Sequence, residues 1–270
     1  MFDNNIKTEP IPERVYELCK MVAKGNIEDK VARERMEPKS INSSGTAYYP
    51  SIREMCVSEL KLISKDDDIL SFSGDKKVIK DLNTFRFYCN SLAFKDIDTD
   101  FYKIVNSYLE ANDTWLKYKT LTDPNIIREI QDEKKISLVT EPMILGTRFW
   151  ISFLGFGYIQ EGGAMYFLPN MHIALQDFCE LSELEKNREY TVTEFVEAIY
   201  GYASVALCNT KNSHTFNLAM SCALRQMHDN KEIILKTNLD SKETWSLYPD
   251  ETHEFTDKFT HIVYKGVRRV

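Results

Sequence analysis

Val15, Leu18, Cys19 and Val22 recur at i, i+3, i+4 and i+7, which predicts one buried face of a helix that opens at Pro12 and ends at Gly25. A second helix, charged and spanning about 27–36, is predicted to stop before Pro38, and the polar loop 40–46 follows it. A third starts near Pro50 with Ile52, Met55, Cys56 and Leu60 turned inward. Then come a strand at Leu62-Ile63, an acidic turn over 65–68 and a strand over 69–72. The order is three helices and a two-stranded wing.

The same order returns downstream. A helix is predicted over about 101–118, a short one from Pro124 with Asp123 as its N-cap, and a long apolar one over about 142–154. A second wing has Gly162-Gly163 as its turn. Met55–Ile63 and Ile151–Ile159 are the same junction set 96 positions apart, and Asp81 and Asp177 keep that register. Helices over about 78–94 and 173–184 close the two units. A third unit is fainter: Thr191 and Glu194 form a capping-box pattern, a helix covers about 216–227, and Ile233–Leu235 is expected to pair with Trp245–Leu247. His261–Tyr264 is expected to add an edge strand. The predicted boundaries are 1–95, 96–180 and 181–270, in a mostly α chain with short β-hairpins, an α+β class.

The helix-to-wing junctions Phe153-Leu-Gly-Phe-Gly-Tyr-Ile159 and Val57-Ser-Glu-Leu-Lys-Leu-Ile63 resemble those of the winged helix-turn-helix superfamily. The resemblance covers two units well and the third weakly, and it implies tandem winged-helix units. Tandem winged-helix proteins include replication initiators, transcription regulators and subunits of chromosome-condensing complexes, so the resemblance sets the fold and leaves the task open.

Charge is uneven along the chain: the three units carry net charges of +1, −6 and −2, within a total of −7. A phosphate-binding surface therefore belongs mainly to the first unit. There, Lys30, Arg33, Arg35 and Lys39 on and after the second helix, Arg53 and Lys61 around the third, and Lys76, Lys77 and Lys80 beyond the wing make a candidate nucleic-acid footprint. Glu28, Asp29, Glu34, Glu54 and Glu59 are interleaved with them, and Asp66, Asp67 and Asp68 make the wing tip repulsive to a phosphate backbone.

Catalytic chemistry has little support. His172, His214, His228, His253 and His261 show no metal-ligand spacing, and the six cysteines form no C-x-x-C pair. Glu59-Leu-Lys61 has the E-x-K spacing of metal-dependent nucleases without an upstream partner carboxylate, and Lys65–Asp68 reads as a hydrated turn before it reads as a cation site. No catalytic residue, metal or cofactor is expected. The opening Met1–Asn5 carries no signal-peptide pattern, so a cytoplasmic setting is expected. The long third helix of unit two is apolar on nearly every side and must be buried.

The expected function is that of a non-catalytic, nucleic-acid-associated component of a larger assembly, with Arg33, Arg35, Arg53 and Lys61 as the leading contacts. The expected partners are double-stranded DNA, met weakly through unit one, and proteins, a second copy of the chain among them, with no membrane. The alternative is a protein–protein scaffold that uses its winged helices for partners and binds no DNA.

Overall fold

The helix predicted at Pro12 forms as α1 (Pro12–Ala23), with the proline in its first turn and Val15, Leu18, Cys19 and Val22 buried, in a computed structural model that describes all residues except 41, 43, 44, 46, 163, 242, 256 and 268–270. The predicted loop over 40–46 lies partly outside the described residues. Beyond α1 the chain pairs before it coils: Ile27–Glu28 is a short strand, β1, and the charged helix α2 (Asp29–Met36) begins only after it. Next, α3 (Tyr49–Glu54) widens into a π turn over Met55–Glu59. Strands β2 (Ile63–Asp66) and β3 (Ile69–Phe72) form the expected antiparallel hairpin, with Asp67 at φ +49° in its turn. The sheet order is β1-β3-β2, and α4 (Leu82–Asn90) follows.

The second stretch departs from its pattern at one helix. Instead of running to Tyr118, α5 (Asp100–Glu110) ends early, because Asn112 takes a left-handed φ of +53° and a 3₁₀ turn covers Thr114–Lys117. Asp123 caps α6 (Pro124–Lys134) by accepting the Asn125 amide at 2.9 Å. Then come α7 (Glu141–Phe153) and the antiparallel pair β4 (Gly157–Glu161) and β5 (Met165–Pro169). Gly162 is in the turn of this wing, and Gly163 lies outside the described residues. At the junction, Gly155 has φ +85°, and a Cβ on Gly157 would sit 2.4 Å from the Leu168 carbonyl oxygen. Only glycine lets the chain leave the helix and enter the wing this closely.

Asp81 and Asp177 do not share a role. Asp81 caps α4 at the surface, accepting the Thr84 amide at 2.8 Å. Helix α8 (His172–Leu181) starts five residues before Asp177, which leaves that carboxylate buried in mid-helix. It is held by Arg86 Nε at 3.0 Å and Asn90 Nδ2 at 2.8 Å, both from α4.

The third stretch contains β6 (Glu189–Thr191), α9 (Val192–Leu207), α10 (Thr210–Ser213), α11 (Leu218–Asp229), β7 (Ile233–Lys236), β8 (Trp245–Ser246), β9 (Lys258–Phe259) and β10 (His261–Tyr264). The capping box forms at Thr191 and Glu194. The expected hairpin between Ile233–Leu235 and Trp245–Leu247 does not: β7 pairs with β10, and β8 with β9. Nor is His261–Tyr264 an edge. It is the central strand of the order β6-β10-β7, because Ile262, Val263 and Tyr264 are all buried, the mark of a strand covered on both faces.

The helix that seemed only to close unit two, α8, packs on α9 and α11. Taken from α8, and leaving aside the short α10 and the separate β8-β9 pair, the order helix, strand, helix, helix, strand, strand follows that of α1 to β3, and in both sheets the first strand lies beside the last. Among the described residues the middle stretch has only its hairpin.

Candidate nucleic-acid interface

The corner between α2 and α3 is fixed by a buried carboxylate. Glu37 accepts the backbone amides of Tyr48 and Tyr49, satisfying donors at the start of α3 that the helix itself cannot. Arg33 Nε donates to the same carboxylate at 3.3 Å. Arg33 therefore serves this corner, and Arg35 does not join it. Two residues apart on a helix point to different sides, and Arg35 instead lines a cleft between α1 and α2. The expectation that α2 presents Lys30, Arg33, Arg35 and Lys39 as one group is corrected by that geometry.

Arg53, expected to face phosphate, is committed as well. Asp29, at the first position of α2, accepts hydrogen bonds from Arg53, from Lys65 Nζ at 2.8 Å and from the Tyr49 hydroxyl at 2.6 Å. Burial works to raise the Asp29 pKa, and the Lys65 and Tyr49 hydrogen bonds with the Arg53 charge outweigh it, holding the carboxyl below its ordinary range. Burial and the Asp29 contact push the Tyr49 phenol the other way. The Asp29 amide also donates to the Asp68 carbonyl at 2.7 Å, so the acidic wing tip is tied to the start of α2.

The remaining predicted cations are exposed: Lys30, Lys39, Lys61, Lys76 and Lys77 have no carboxylate partner among the described residues. Lys61 has φ +54°, and its carbonyl accepts the Ser73 hydroxyl at 3.2 Å, which sets it at the base of the wing just ahead of Lys76 and Lys77. The wing tip is the four-residue length of β2 away, about 13 Å. The predicted stripe thus divides into a wing-base group, a clamp at Asp29 and the α1–α2 cleft. Glu59 of the E-x-K spacing binds the Phe2 amide at 2.6 Å, a structural contact.

The α1–α2 cleft encloses about 470 Å³ and adds Lys20 and Lys24 to Arg35, with Met21 and Ile27 also lining it. Lys20 is shared with Glu17 at 3.1 Å. The sequence held a signal for this pair, since Lys20 and Lys24 are one helical turn apart beside Arg35 in the fold.

The three helices that precede the hairpins differ in cover. Along α3 and its π turn, Pro50, Glu54 and Ser58 are exposed, every fourth residue. On α7 nothing after Glu141 and Pro142 is exposed, as the apolar pattern requires. Residues 1–11 lie across it as a strap: a Cβ on Gly146 would sit 2.4 Å from the Lys7 carbonyl oxygen, and Trp150 Nε1 donates to the Pro10 carbonyl at 2.7 Å. Phe2 stands edge-on to Trp150 at 4.9 Å, and the Phe101 amide donates to the Asp3 carbonyl at 3.2 Å. On α11 only Asp229 is exposed. The loop before β9 overlies that helix: Arg225 Nε donates to the Phe255 carbonyl at 2.9 Å, the Tyr248 amide donates to Ser221 Oγ at 2.8 Å, and His228 bonds Glu254 at 2.6 Å.

Among the described residues no cluster of His, Cys, Asp and Glu could hold a metal ion, and no helix is long and apolar enough to cross a membrane. No protein-family model, curated protein or solved structure matches the chain.

Proposed function

We propose that the chain is a non-catalytic protein of tandem winged-helix units, a nucleic-acid-associated component of a larger assembly, whose first unit touches duplex DNA through phosphates. The observation that carries this reading is the difference in cover: α3 remains open, whereas α7 and α11 are overlaid by other parts of the same chain. Free cations at the wing base, Lys61, Lys76 and Lys77, flank the open helix. The strand order β1-β3-β2 and its counterpart β6-β10-β7 support the winged-helix assignment.

Glu54 sits in the middle of the open stripe and repels phosphate, so the contact is made by the wing-base lysines, to backbone and independent of sequence. With Arg53 engaged by Asp29, the binding is weak, micromolar or poorer at physiological salt. A labelled duplex titrated near 50 mM salt tests it, since phosphate contacts are strongest there. Lys61→Ala, Lys76→Ala and Lys77→Ala should each reduce the slope of log affinity against log salt by about 0.9 where the lysine meets a phosphate. Arg53→Ala should leave the slope unchanged.

A second reading, a scaffold that binds protein partners and no DNA, is favoured by the Asp29 clamp, which quenches two cations beside a triply acidic wing tip. Absence of duplex binding near 50 mM salt would select it.

A further inference from the structure

The first stretch carries two patches of opposite charge side by side. The α1–α2 cleft, about 470 Å³, presents Lys20, Lys24 and Arg35 against one carboxylate, Glu17. Glu17 takes Lys20 at 3.1 Å, while Lys24 and Arg35 are exposed with no carboxylate partner among the described residues. The wing tip is the reverse. Asp66, Asp67 and Asp68 are exposed, and among the described residues no cation pairs with their carboxylates; the neighbouring Lys65 is taken by Asp29 at 2.8 Å. Each patch also has an apolar companion. Met21 and Ile27 line the cleft half-buried, and Ile69, the residue after the tip, is 39% exposed.

Two features select what the cleft accepts. A duplex is a broad convex rod that does not enter a cleft of this size, and no aromatic ring lines it for a single-stranded base to stack on. A hairpin tip is narrow and does enter. Secondly, cleft and tip are neighbours. Ile27 of the cleft pairs with Leu70, two residues past Asp68, which sets the two patches about 10 Å apart. Within one chain no ion pair joins them among the described residues. Complementary patches that are adjacent yet unpaired in one copy are satisfied together by a second copy turned about a two-fold axis between them, tip to cleft and cleft to tip.

We propose that the first stretch pairs with a second copy of this chain across such an axis. In each half, the carboxylates of Asp66 and Asp68 meet Lys24 and Arg35, the guanidinium offering two parallel N–H donors, and Ile69 packs on Met21 and Ile27. The wing-base lysines take no part, so the pairing stands apart from the duplex contact of the first unit.

The test is sedimentation velocity of the full chain, free of nucleic acid, over a range of protein concentrations at about 50 mM and about 500 mM salt. The expected result is a reversible dimer with a Kd of about 10–100 µM at the lower salt, as befits a small polar interface, weakened at least tenfold at the higher, where charges are screened within a few ångströms. Two charge-reversed chains sharpen it. Lys24→Glu with Arg35→Glu makes both patches acidic, and Asp66→Lys with Asp68→Lys makes both basic. Each alone should be monomeric where the parent pairs, and an equimolar mixture should dimerise again, because both contacts then join opposite charges. All four positions are exposed, so each variant should keep the parental circular dichroism. If one folds poorly, the salt dependence of the parent still decides. A parent that stays monomeric overturns the proposal, as does a dimer that salt or either reversal leaves intact, a mixture that stays monomeric, or assembly beyond two copies. A monomer that binds a labelled octaaspartate through Lys24 and Arg35 overturns it too, by giving the cleft to a foreign acidic segment.

Discussion

Helices α3 and α7 stand at corresponding points of the chain, each running into a hairpin, and they live in opposite surroundings. Pro50, Glu54 and Ser58 are exposed on one, and on the other only the first two residues are, the rest being buried or half-buried. Composition decides the difference. Ile144, Trp150 and Ile151 face the interior of α7 while Met143, Phe149 and Phe153 occupy its flanks, so the helix needs a second covering layer, which the strap provides. With Glu54 and Ser58 on its outer side, α3 needs none. The architecture can thus place a helix before a hairpin either at the solvent or under cover, and a few outward residues choose between them.

The sharpest way to break this contrast is to truncate one residue from each helix. Trp150→Ala removes the ring that the strap clasps and should lower unfolding free energy by about 4 kcal/mol, whereas Ser58→Ala should stay within about 0.5 kcal/mol of the parent; urea denaturation followed by far-UV circular dichroism measures both. Equal losses would mean that α3 is as deeply engaged as α7. A smaller effect is expected at the exit from α7. Gly157→Val forces a side chain against the Leu168 carbonyl and the Phe167 ring, and should cost about 2 kcal/mol, seen as a lower melting temperature. An unchanged melting temperature would show that the wing yields without strain.

The smallest expected effect belongs to α3 and its Asp29 clamp. The Asp29 carboxyl is held below its ordinary pKa of 3.8, so its contribution, about 1 kcal/mol for partly exposed pairs, is full above that value. It fades as pH falls through the lower, folded-state pKa. Asp29→Asn should therefore be less stable than the parent at pH 6, and the gap should narrow as the pH is taken below 3.8. A gap independent of pH would remove charge from the account of this clamp.

Local signals in the sequence transferred well. Pro12, Asp123 and the Thr191–Glu194 capping box start helices where the pattern placed them, and both early hairpins form, although β2 runs through Lys65 and Asp66, which the pattern had placed in the turn. These features depend on neighbours in sequence. What was not legible depends on distant ones. The pairing of β10 between β6 and β7 joins segments far apart, and nothing near Trp245 shows that Phe259 is its partner. The candidate site suffered in part in the same way: Arg53 looked free because Asp29 reaches it only after α2 and α3 fold together, whereas the Arg33–Glu37 pair, four residues apart at the end of α2, was legible in the sequence and overlooked. Counting cations along the chain cannot reveal which are already spoken for.

The strap has a consequence for biosynthesis. Pro10 leaves the ribosome 140 residues before Trp150, the residue that clasps it. At about 5–20 residues per second, the segment waits on the order of ten seconds for its seat. During that interval Phe2 and Ile6 have no α7 to cover them, and a nascent chain with exposed apolar side chains is open to chaperones and to aggregation. Residues 1–11 thus depend on the middle of the chain to reach their final place.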